Sequence, residues 1–148
     1  MDDKFIFRLK EFYALETFQV AFYKAQVDSA TDEYYGNSFQ KSVDIEQNHA
    51  DFLTALLEKA GESVPSFVGS TFKLAGDFVG ESVEANGQHD TCTLGVKLEN
   101  KALEHYRLFI KESKEKNYIE IRNTLMQFQL DEEFHALWLQ DYAKNHSN

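Results

Sequence analysis

Almost nothing in the first 60 or so or the last 50 or so of the 148 residues can stop a helix. The only proline is Pro65, and Gly69, Gly76, Gly80, Gly87 and Gly95 crowd into the middle, with Gly36 and Gly61 outside it. Either residue type costs a helix interior roughly 1 to 3 kcal/mol, so breaker-free flanks favour long helices. Phe5, Leu9, Phe12, Val20 and Tyr23, with Phe18 on the flank, recur at helical spacing and predict a first helix over Asp3–Val27. Ser29-Ala30-Thr31 reads as a tight link, with Thr31 or Ser29 capping a second helix that runs to Lys59 and stops at Gly61. Pro65 can open a shorter apolar crossover carrying Phe67, Phe72 and Phe78. A third long helix is predicted over Thr91–Lys116. Asn117 with Glu120 then caps a fourth, Tyr118–Asn145. The expected fold class is all-α, an antiparallel four-helix bundle with a short helical crossover between the second and third long helices.

Composition narrows the setting. Hydrophobic residues at 43% and charged residues at 27% make an ordinary globular mix, and the length suits a single domain over residues 1–148. A net charge of −10 excludes a nucleic-acid binder and gives no attraction to anionic lipid beyond a peripheral contact. Cys92 is alone and cannot form an internal disulfide, which fits a reducing, cytoplasmic compartment. No apolar run reaches the ~18 residues of a spanning helix, and Met1-Asp2-Asp3 does not open like a signal peptide. Exposed Phe67 and Phe72 would support a homodimer.

The two halves repeat. The first helix holds Leu15-Glu16 followed by Tyr23, and the third holds Leu98-Glu99 followed by Tyr106; both are Leu-Glu-x6-Tyr. The second holds Glu46-x-x-His49 and the fourth Glu132-x-x-His135. Glu99 stands 83 residues after Glu16, and Glu132 stands 86 after Glu46, so the register survives within one turn. A lone Glu-x-x-His is weak evidence in an acid-rich chain. Two copies, each preceded by the same helix motif, are far more specific.

Each of these glutamates lies on the apolar stripe of its own helix, and no lysine or arginine lies on those faces within one turn. Burying lone carboxylates is costly, so a cation must neutralise them. The midpoint of Glu16 and Glu46 is residue 31, and that of Glu99 and Glu132 falls between residues 115 and 116, at the two expected turns. Residues equidistant from a hairpin turn lie side by side. Glu104 is the rival on the third helix, but at ~100° per residue it stands about 140° round from Glu99, on a polar flank. The metal ligands expected are therefore Glu16, Glu46, His49, Glu99, Glu132 and His135. Four carboxylates balance two divalent ions, and an oxygen-rich set with two imidazoles and no thiolate suits iron, or manganese, better than structural zinc.

This arrangement resembles the ferritin-like di-iron carboxylate superfamily, and more closely the demethoxyubiquinone hydroxylase family. The resembling motifs are Ala14, Glu16, Tyr23 and Gln26; Glu46, Gln47 and His49; the Pro65-Ser66 opening; Glu99, His105 and Tyr106; and Glu132 with His135. Together they cover nearly the whole chain. The resemblance implies an enzyme, a di-iron oxidoreductase whose reduced irons activate dioxygen for hydroxylation of a quinone-like or other aromatic substrate. It also implies an external electron donor. Tyr23, Tyr106 and His105 are then neighbours of the ligands. The Glu99–Glu132 interval is about one turn shorter than that family leads one to expect, and the acidic balance suits a peripheral membrane enzyme poorly.

The rival within the same fold is a rubrerythrin-like peroxidase that reduces hydrogen peroxide, or an iron-oxidising ferritin-like protein. One cysteine leaves no room for a four-cysteine rubredoxin site. A non-catalytic helical metal-binding or interaction module, from another class, would leave the buried acids without a purpose. The plain reading of Tyr23 and Tyr106 is core packing, of Cys92 a small buried hydrophobe, and of His89 and His146 solvated positions.

Overall fold

The computed structural model describes residues 1–66, 87–116 and 118–145. Among them all regular structure is α-helical: α1 (Asp3–Ser29), α2 (Glu33–Lys59), α3 (Gly87–Glu115) and α4 (Ile119–Asn145). The chain divides into two compact units, Met1–Gly80 and Glu81–Asn148, each an antiparallel pair of long helices.

In the first unit both helices start on an aspartate. Asp2 Oδ1 accepts from Phe5 N at 2.9 Å, and Asp32 Oδ1 accepts from Tyr35 N at 2.7 Å. The cap of α2 is thus Asp32, not Thr31 or Ser29. A carboxylate both accepts the orphan amide and complements the positive end of the helix. Ser29 instead stays in α1, its hydroxyl donating to Ala25 O at 2.9 Å. The turn is tight enough that a Cβ on Gly36 would stand 3.2 Å from Ala30 Cβ. At the far end, Gly61 adopts φ 76°, Gly61 N donates to Glu58 O, and Glu62 N donates to Leu57 O, both at 2.9 Å. These paired bonds satisfy the last carbonyls of α2. Lys10 Nζ meets Glu62 Oε2 at 2.6 Å and ties the start of α1 to the end of α2. Phe5, Leu9 and Phe12 of α1 and Leu53 and Leu57 of α2 are wholly buried. Nearer the turn, the Phe39 ring lies 5.4 Å from Tyr23 and 4.6 Å from Tyr35. Val20, expected inward, is half-buried; the polar Gln19 takes the buried place beside it.

In the second unit α3 begins one turn before Thr91, at Gly87. Gln88 anchors that extra turn, its Oε1 accepting from Tyr142 OH at 3.1 Å across to α4. Tyr118 N donates to Ser113 O at 2.9 Å and closes α3, and Arg122 N donates to Tyr118 O at 2.9 Å as α4 begins. A Cβ on Gly95 would stand 2.9 Å from Leu139 Cδ1, so glycine is what lets the two helices approach there. The apolar crossover, including Phe67, Phe72 and Phe78, lies outside the described residues, as do Asn117 and His146. Among the described residues no helix is long and apolar enough to cross a membrane.

Candidate metal centre

α1 sets Phe12, Glu16, Gln19 and Tyr23 on one buried face, at alternating steps of four and three residues. α2 likewise buries Ser42, Glu46, His49 and Leu53. The inward stripes of the two helices therefore bring an acid from each to one level. His49 Nδ1 lies 3.3 Å from Glu16 Oε2 and 3.1 Å from Glu46 Oε2. Glu16, Glu46 and His49 each offer a ligand atom within 4.8 Å of the others, and all three are buried.

The second unit repeats the pattern. Glu99 on α3 and Glu132 and His135 on α4 are buried, and each offers a ligand atom within 4.8 Å of the others. His135 Nδ1 lies 3.8 Å from Glu99 Oε1. The close approach at Gly95, one turn before Glu99, brings α3 and α4 together beside this triad. In both units, then, the histidine of Glu-x-x-His turns Nδ1 towards the glutamate of the preceding helix.

The donor set fits a divalent first-row ion. Carboxylate oxygens and imidazole nitrogens suit iron or manganese, and Cys92, buried two turns before Glu99, supplies no donor to either triad. Two carboxylates 4.8 Å apart repel by ~3.5 kcal/mol at an effective dielectric constant of ~20. A shared cation turns that cost into attraction. Glu104 is exposed, and a hydrogen bond from Lys101 Nζ, 3.1 Å away, together with the lysine's charge, holds its carboxyl below the usual range.

Sequence reasoning missed Gln19. It is wholly buried, and its Nε2 donates to Glu46 Oε1 at 3.5 Å. Gln19 stands one turn after Glu16 on the same face, whereas the apolar pattern picks out its neighbour Val20. The matching position in the second unit is Ala102, also buried, so the two triads are not chemically identical. Tyr23 and Tyr106 are buried among rings, Tyr23 against Phe22 and Phe39, and Tyr106 edge-on to Phe128 at 6.3 Å. His105 is half-buried. Gln26 accepts from Tyr35 OH at 3.4 Å near the turn, and Gln47 is exposed and donates to Asp51 at 2.8 Å.

Residues 13–147 match the family described as "Ubiquinone biosynthesis protein COQ7". A ferritin-like, diiron-carboxylate protein of Bacillus anthracis strain Ames is similar over 97% of this chain and 99% of its own, with 17% identity and a TM-score of 0.80. That likeness gives the chain the ferritin-like four-helix fold. No curated protein matches it significantly.

Proposed function

The chain belongs to the COQ7 family, and we propose that it is a di-iron oxidoreductase of the monooxygenase kind, built as one ferritin-like domain over residues 1–148. The observation that carries this reading is the pair of buried Glu–Glu–His triads, one in each helical hairpin. Glu16, Glu46, His49, Glu99, Glu132 and His135 would pool their donors to hold two irons. The four carboxylate charges then balance two divalent ions. The repeat, its level relative to both turns, the family and the fold all support this pooling.

When bound, the irons would supply the redox chemistry by which dioxygen hydroxylates an electron-rich aromatic ring such as that of a quinol. The protein's own residues do the rest. Burial of all six donors excludes bulk water from the ligand atoms. The Gln19 amide holds one oxygen of Glu46 and so limits how that carboxylate can turn. The Tyr23 and Tyr106 rings stiffen the walls beside the ligands, and the half-buried His105 stands next to Tyr106 on α3. Electrons come from a separate reductant, because a single cysteine cannot build a four-cysteine iron site. The same lone thiol suits a reducing, cytoplasmic setting.

Elemental analysis of protein grown with ample iron tests the centre: about two metals per chain, as the pooled donor set implies, with Glu46→Ala and Glu132→Ala each losing metal. A stably folded, metal-free product refutes it. Mixing the reduced protein with dioxygen and, separately, with peroxide tests the reaction. Oxygen uptake coupled to a quinol supports the hydroxylase, and much faster oxidation by peroxide supports the rubrerythrin-like reading instead.

A further inference from the structure

α4 is apolar on two sides. One side carries the buried Ile121, Leu125 and Leu139 around Glu132 and His135. The other carries Ile119, Met126, Leu130, Phe134 and Leu137, which are 43 to 66% exposed. At ~100° per residue these five fall within about 80° of one another, along ~27 Å of helix. An exposed apolar stripe of this size marks a surface that another molecule covers.

We infer that this outer stripe of α4 is the contact between two copies of the chain, paired antiparallel about a two-fold axis at the level of Phe128. Four of the five residues are placed symmetrically about that position. Ile119 and Leu137 stand nine positions to either side of it, and Met126 and Leu130 stand two. An antiparallel pair centred there sets Ile119 against Leu137 of the second copy and Met126 against its Leu130. The same register places Arg122, on one edge of the stripe, within a turn of the second copy's Glu133 on the matching edge, so unlike charges meet twice. Phe134, on the other edge, covers the second copy's Asn123.

The area is sufficient. At ~200 Å² for a fully exposed large side chain, the five expose on the order of 600 Å², the top of what a monomer ordinarily leaves open. Two copies would bury about 1,200 Å² from these side chains alone, the lower bound of a specific interface before Arg122, Glu133 and their neighbours are added. The stripe carries no charge between Ile119 and Leu137, while the chain as a whole is strongly acidic. A second copy supplies apolar surface with two opposite-charge contacts, and an anionic lipid surface would meet a repelling molecule.

Light scattering on the full chain tests the pairing. The wild type is expected at twice the chain mass at tens of micromolar, and Leu130→Glu at the single-chain mass with unchanged helicity by circular dichroism. Glu133→Arg sets like charges together and should weaken the dimer at least tenfold, and Arg122→Glu added to it should restore pairing. The Arg107 contact to Glu133, at 3.7 Å within one chain, is lost in both variants and cannot account for that rescue. A monomeric wild type overturns the inference, as does a dimer indifferent to Leu130→Glu and Leu137→Glu. Flotation of a monomeric wild type with neutral phosphatidylcholine vesicles overturns it too and makes the stripe a lipid-facing surface.

Discussion

Replacing Glu46 with glutamine should make the metal-free protein more stable and the metal-supplied protein less so. Glu16 and Glu46 offer oxygens within 4.8 Å of each other, both inaccessible to solvent. Their mutual repulsion is at least ~3.5 kcal/mol at an effective dielectric constant of ~20. Glutamine keeps the shape and an oxygen that can accept from Gln19, but it removes one charge. The weaker hydrogen bonds to Gln19 and His49 give back about 1 to 1.5 kcal/mol, leaving a net gain of about 2 kcal/mol. For a chain of this size that is roughly 4 to 8 °C in the melting temperature of the apoprotein. With ferrous ion a thousandfold above its dissociation constant, the wild type should gain ~4 kcal/mol by mass action, and Glu46→Gln should gain little. Calorimetric melting of both proteins, with chelator and with anaerobic ferrous ion, reads all four states. If the variant melts below the wild type in chelator, the carboxylates do not repel as argued. If ferrous ion raises both equally, Glu46 is not a donor.

Three smaller perturbations test the frame around the triads. Gly95→Ala would set a Cβ 2.9 Å from the buried Leu139; overpacking of about 1 to 3 kcal/mol outweighs the ~1 kcal/mol gain in helix propensity, so the urea midpoint should fall. Asp32→Ala removes the cap of α2 and should cost about 1 kcal/mol in the same assay, with unchanged metal content. Burial, partly offset by Arg8, raises the Glu11 carboxyl above its ordinary 4.5. A group raised by folding supports the fold fully below its unfolded value and loses that support as pH rises through the folded one. Glu11→Gln should therefore be the more stable protein at about pH 7 and match the wild type near pH 4.

The parts of the molecule that follow local rules could be read from the chain. The absence of breakers fixed the four rods to within a turn, and Gly61 marked the end of α2 because a positive φ there costs glycine nothing. The four acids announced themselves by standing on apolar stripes at matched distances from both turns. What escaped depends on competition between similar residues. Thr31, Ser29 and Asp32 can all cap a helix, and only the geometry of the link selects the aspartate. Gln19 and Val20 are adjacent, and an apolar pattern prefers the valine, yet the polar side chain is the one that reaches an acid on α2. The α4 stripe escaped for a related reason. When a helix is apolar on two sides, periodicity does not say which side faces inward; Glu132 and His135 do.

Each triad draws its donors from two helices joined by only a few residues, so assembling it closes a short loop at small entropic expense. The geometry inside a triad is therefore insulated from changes of length elsewhere. The spacing within either set is decided by its own two helices and the short turn that joins them. That modularity suits a chain whose two hairpins repeat the same motifs.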